Sequence, residues 1–225
     1  MKKIAGIIAL ISAAIALTGC ASGNAYLANR NTTIEMYHIF DIKTSADTAR
    51  VIKAAGDGLA QNTNEVNQVT PLQMGKTVPA TPERFTIEDI GAKFAGTGMG
   101  NMLQMASIQN GGAALKSANC NNAVWSSRAV RSIAGSSNLT LYSCLYKYKA
   151  GYQLDTYAVF QKTEGGIHQI SRDIANSLVG TPEQWVNKTI LDTVRSIEAA
   201  TATKAVHLEG QPELNDQPVG ALVQK

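Results

Sequence analysis

The chain has 225 residues, 44% of them hydrophobic, and a formal net charge of +3. That length suits one domain or one domain with appendages, and the apolar content is ordinary for a globular protein. The charge is too small to leave the electrostatic footprint of a nucleic-acid binder.

The chain opens with Lys2 and Lys3, then an apolar run from Ile4 to Leu17 broken only by Gly6 and Ser12, then Thr18-Gly19-Cys20. A basic start, a short apolar stretch and a small-residue exit are the three parts of a signal peptide. The run is shorter than the ~20 residues that span a bilayer. Its ending, Leu17-Thr18-Gly19-Cys20, resembles the lipobox of bacterial lipoproteins. The resemblance covers about the first 20 residues. It implies that residues 1–19 are removed, that Cys20 becomes the lipidated N-terminus, and that several acyl chains hold the protein to a membrane. Ala21 and Ser22 follow the cysteine instead of an aspartate, which resembles lipoproteins sent to the outer membrane of Gram-negative bacteria, facing the periplasm. Losing Lys2 and Lys3 brings the net charge from +3 to +1.

With Cys20 assigned to lipid, Cys120 and Cys144 remain, an even pair in an oxidising compartment. A bridge between them closes a loop of 24 residues in sequence. The alternative is two buried free thiols.

Residues 20–33 are small and polar and read as a tether. Residues 34–200 read as an α+β domain, a mostly antiparallel sheet with helices packed on one face. Ile34 to Ile42 predicts a strand with Ile34, Met36, His38, Phe40 and Ile42 on one face. Apolar Tyr37 and Ile39 on the other suit a central place in the sheet. Ser45 to Gln61 predicts a helix, capped by Ser45 or Asp47 and weakened at its end by Gly56 and Gly58. Residues 62–82 read as a loop, and Arg84 to Ile90 as a short strand. Glycine density over 91–112 argues against rigid structure there. Asn119 to Ala134 reads as a helix.

Two strand-like runs from Leu139 to Lys162 flank Ala150-Gly151 and predict a hairpin. The expected register sets Lys149 opposite Tyr152, Leu145 opposite Thr156 and Leu141 opposite Phe160. Leu139, Leu141, Leu145, Leu154, Ala158 and Phe160 then share one face. Tyr142, Cys144, Tyr146, Tyr148, Tyr157 and Val159 share the other, which must be covered by the Cys120 segment, by the glycine-rich segment or by a partner. Ile167 to Ile170 reads as a third strand and Asp173 to Leu178 as a short helix. Thr181-Pro182-Glu183-Gln184 carries a capping box with proline at the first helical position. The stripe Val186, Ile190, Val194, Ile197 follows it. Residues 201–225 read as a disordered or loosely docked tail.

Constellations that carry chemistry are sparse. His38, His168 and His207 have no metal-ligand spacing, so neither metal nor cofactor is expected. Gly75-Lys76-Thr77 lacks the earlier glycine of a phosphate loop, and Gly96-Thr97-Gly98 lacks the third glycine of a dinucleotide fingerprint. No G-x-S-x-G elbow is present. Asp155 reads as a lone, solvated strand carboxylate. Two surfaces suit binding: the tyrosine face, with Tyr142, Tyr146, Tyr148 and Tyr157, and the glycine-rich segment, with Met99, Met102 and Met105. The expectation is a non-catalytic interaction module of the envelope that meets another envelope protein. A small apolar-ligand carrier is the alternative, and an envelope hydrolase a third reading.

Overall fold

The structure is a computed structural model that describes residues 30–63, 65–72, 75, 77–109, 115–131, 139–164 and 180–214. The leader, Cys20, most of the tether, His168, the expected strand at 167–170, the expected helix at 173–178 and the tail beyond 214 lie outside them. The chain divides into two compact units, Thr33–Gln161 with Thr181–Lys225, and Met1–Thr32 with Lys162–Gly180. Of the second unit only residues 30–32, 162–164 and 180 are described, as the ends of two strands and the residue before the last helix's cap. The fold is that of the first.

Its elements follow in chain order: β1 (Arg30–Ile42), α1 (Thr48–Ala60), β2 (Glu65–Val69), β3 (Thr86–Asp89), α2 (Ile90–Lys93), α3 (Gly98–Gln109), β4 (Lys116–Asn119), β5 (Trp125–Arg131), β6 (Leu139–Tyr148), β7 (Gly151–Glu164), α4 (Pro182–Thr201) and β8 (Val206–Gln211). Six strands form one sheet in the order β2-β5-β6-β7-β1-β8, and β3 and β4 form a two-stranded ribbon. The sheet is mostly antiparallel and the architecture α+β, as the alternating patterns imply.

Helices α1 and α4 cover one sheet face. Val51, Ala55 and Leu59 from α1 and Val186, Ile190, Val194 and Ile197 from α4 meet Met36, Phe40, Trp125, Leu141, Leu145, Leu154 and Phe160 in one core. The α4 stripe is the one its spacing predicts. Its start also holds: the Thr181 hydroxyl accepts from the Gln184 amide at 3.2 Å, and Gln184 Oε1 accepts from the Thr181 amide at 2.9 Å. Asp47 caps α1 by accepting from the Ala49 amide. Gly58 does more than weaken that helix. A Cβ there would stand 2.6 Å from Thr193 Cα and 2.9 Å from Asp192 O, so its bare backbone is what lets α1 and α4 touch.

The hairpin forms with its predicted faces and a different turn. Tyr148 pairs with Gly151, Leu145 with Leu154 and Leu141 with Ala158, so Lys149-Ala150 make the turn. This register is two residues from the expected one. A shift of two leaves every side chain on its own face, because the strand period is two. Gly151 is held close to β1, where a Cβ would lie 2.1 Å from Ile42 O. The β7–β1 contacts run antiparallel: Gly151 lies at Ile42, Thr156 Oγ1 donates to His38 O, and Tyr157 OH donates to Glu35. β1 is an interior strand, flanked by β7 and β8, as its two apolar faces imply.

Four segments depart from expectation. Residues 65–69, placed in a loop by their polarity, form edge strand β2 against β5. Asn119 to Ala134, read as helical, supplies β5, whose burial alternates over Trp125, Ser127 and Ala129. The stretch 98–109 is helical despite its glycines, and Thr97 Oγ1 caps it by accepting from the Gly100 amide. Part of the tail is edge strand β8, paired to β1 from Tyr37↔Gln211 to Asp41↔Val206.

Candidate functional site

The second sheet face carries the tyrosines, and the chain covers most of it. The cover is the β3–β4 ribbon with its leading segment 83–85, tied down by the disulfide Cys120–Cys144, whose Cα atoms are 5.4 Å apart. Cys144, Tyr146 and Ala123 form a small second core with Phe85, Ala118 and Cys120. The Phe85 ring sits 5.9 Å from Tyr157 and 6.5 Å from Tyr37, centroid to centroid.

Asp155 pins this cover. It pairs across the hairpin with Cys144 and is fully buried. One carboxylate oxygen accepts from the Phe85 amide at 3.1 Å, the other from Gln153 Nε2 at 2.8 Å. Burial pushes its pKa up to about 6, against those hydrogen bonds and the nearby Arg84. The expectation of a solvated carboxylate is therefore corrected: Asp155 is an interior anchor with both oxygens occupied. The neighbouring phenols make similar contacts. Tyr157 OH donates to Glu35 at 2.8 Å and Tyr148 OH to Asp41 at 2.5 Å. Burial raises both phenols, and that of Tyr148 reaches about 12.

Three of the four tyrosines expected to meet a partner are thus largely enclosed. Tyr146, Tyr148 and Tyr157 are buried, Tyr146 against Phe85, Ala118 and Cys120 and Tyr157 against Phe85. Tyr142 alone is half-open, stacked at 6.2 Å on Tyr157 and set directly across from Arg128 of β5. It lines an open cleft of about 510 Å³ with Asn67 and Val69 of β2, Glu88 and Lys93, Ala118, Asn119, Cys120 and Asn121, and Ser126, Ser127 and Arg128 of β5. Glu88 is occupied, taking a hydrogen bond from Asn119 Nδ2 at 2.6 Å and an ion pair from Lys93 at 3.2 Å. The Asn119 bond, then Lys93, hold its pKa below the ordinary value. Arg128 is exposed and makes no ion pair among the described residues. The cleft therefore offers one guanidinium, an aromatic face and a rim of amides and hydroxyls. Only Tyr142 was legible as a site residue. Asn67, the pair Asn119 and Asn121, and the pair Ser126 and Arg128 come from three separate segments, and no spacing links one segment to another.

A second cleft of about 650 Å³ is lined by Thr48, Gly75, Thr77, Val78, Pro79, Glu83, Asn122, Val124, Tyr146 and Lys147. Lys147 Nζ donates to Thr48 Oγ1 at 2.8 Å there.

The histidines meet differently. His38 Nδ1 lies 3.3 Å from His207 Nε2, joining β1 to β8. Burial, then His207, lowers the His38 pKa to about 4. Among the described residues no three His, Cys, Asp or Glu side chains gather as a metal site, and no helix is long and apolar enough to cross a membrane. Met99, Met102 and Met105 all stand exposed on α3.

Comparison with known proteins finds no matching family model, no similar curated protein and no similar solved structure.

Proposed function

We propose that this chain is a lipid-anchored, non-catalytic binding module of a Gram-negative envelope, held at the periplasmic face of the outer membrane through Cys20. Its cleft beside β2 takes an extended, acidic segment of another envelope protein. The observation that carries the second statement is Arg128. In that cleft Glu88 and Lys93 neutralise each other, which leaves the Arg128 guanidinium as the surplus charge beside its cross-strand neighbour Tyr142. A guanidinium fork suits a carboxylate, and Tyr142 supplies contact area at low entropic cost. β2 ends the sheet among the described residues, so a partner strand has main-chain donors and acceptors to meet. The anchoring statement rests on Leu17-Thr18-Gly19-Cys20 alone.

The apolar-carrier reading finds less support. The layer between sheet and helices is filled by core side chains, and the cleft beside β2 opens on the other sheet face.

A photo-crosslinking residue in place of Tyr142, used in intact envelopes, tests the proposal. A discrete crosslinked species is expected, and Arg128→Glu should abolish it while thermal unfolding stays unchanged. Crosslinks that survive Arg128→Glu, or that form only from the α1–α4 face, overturn it.

A further inference from the structure

Three of the six methionines fall within seven residues, at 99, 102 and 105. All three are on α3, with 56%, 70% and 63% of their surface exposed, whereas Met36 is buried at 1%. Exposing three large apolar side chains on one short helix is unfavourable unless something uses them. At 100° per residue they span an arc of about 120° with Met102 at its centre, and about 9 Å along the axis. Residues three apart on a helix have Cβ atoms about 5–6 Å apart, so Met102 is within side-chain reach of both neighbours. Long side chains lean toward the helix N-terminus. Gly98, one turn before Met102, has no side chain and the space within 4 Å of its Cβ position is empty, so nothing at that position blocks a Met102 side chain turned toward Met99.

We propose that Met99, Met102 and Met105 form a surface site for a soft monovalent cation, Cu(I) in the envelope, held by three thioether sulfurs. Thioethers select soft ions over hard ones. The helix Gly98–Gln109 contains no charged residue, so it offers no carboxylate to Zn²⁺ or Mg²⁺ and no like charge against a monovalent ion. The remaining coordination position faces solvent. This site is independent of the cleft beside β2, and either stands if the other fails.

The test uses the full, disulfide-bonded chain in a Cys20→Ser background, which removes the one thiol outside the bridge. Ag(I) serves as the redox-inert ion, followed through the methyl signals of ¹³C-methyl methionine. The expected result is movement of the Met99, Met102 and Met105 signals, saturating at one Ag(I) per chain, with those of Met36 and Met74 unmoved. A chromophoric-chelator competition with Cu(I) should show the same stoichiometry. The triple Met→Leu variant keeps the apolar volume and should lose uptake, and Met102→Leu should weaken binding more than either end variant. Uptake undiminished in the triple variant, signals that move elsewhere, or the same shifts with Zn²⁺ overturn the proposal.

Discussion

The pH dependence of folding should divide between two buried groups that pull in opposite directions. His38 is fully buried with a pKa of about 4 against an ordinary 6.5. Between those values the unfolded chain takes up a proton that the folded protein refuses, so stability is lost as the pH falls. Asp155 is fully buried with a pKa of about 6 against an ordinary 3.8. Over nearly the same window the folded protein takes up the proton first, so stability is gained as the pH falls. Each difference of two or so pH units corresponds to roughly 3 kcal/mol. The two contributions largely cancel in the wild type between pH 6.5 and 4, and single substitutions should expose them. Relative to wild type, Asp155→Asn should lose about 3 kcal/mol of stability on going from pH 7 to pH 4, and His38→Phe should gain about the same. Urea unfolding at pH 7, 6, 5 and 4 with the disulfide intact measures this. Glu35 and Asp192, whose pKa values are lowered by Lys116 and Lys188 pairing respectively against burial, cost stability in acid in every variant and cancel in the difference. Flat difference profiles, or two slopes of the same sign, refute the reasoning.

Opening the Cys120–Cys144 bridge frees a loop with a sequence separation of 24. Cys120→Ser with Cys144→Ser should cost about 3–4 kcal/mol in urea unfolding, and the fully reduced wild type should match it. Gly58→Ala sets about 1 kcal/mol of helix propensity against a backbone clash with α4. Overpacking of roughly 1–3 kcal/mol should win, so its melting temperature falls, whereas Gly98→Ala, in open space, should hold or raise it. Thr181→Ala removes the hydroxyl of the α4 capping box and should cost about 1 kcal/mol by chemical unfolding. On the lipobox reading, Cys20→Ser yields protein that is unprocessed or recovered in the soluble fraction, and unchanged processing and membrane recovery would remove the basis for an anchor.

What was legible in the sequence was what local spacing controls. The α4 capping box and stripe, the Asp47 cap and the two faces of the hairpin each depend on residues a few positions apart, or on a parity that a register shift of two does not disturb, whereas the pair Cys120 and Cys144, 24 residues apart, followed from a count of cysteines. The anchor at Cys20 remains a statement of sequence alone. Long-range packing decided the rest. Glu65–Val69 and Val206–Gln211 are too polar to announce strands, and they are strands because β5 and β1 present unpaired main-chain groups to them. Gly58 reads as a helix breaker in sequence and is a contact point in space. Asp155 reads as solvated until the Phe85 amide, 70 residues upstream, binds its carboxylate, and whether chain or partner covers Tyr146 and Tyr157 is decided only when Phe85 and the β3–β4 ribbon fold over them. The cleft around Arg128 follows from that ribbon too, since its lining comes from five separate segments. Side-chain periodicity reports which residues share a face, but what covers that face is set by partners distant along the chain, and only the tertiary fold brings them in.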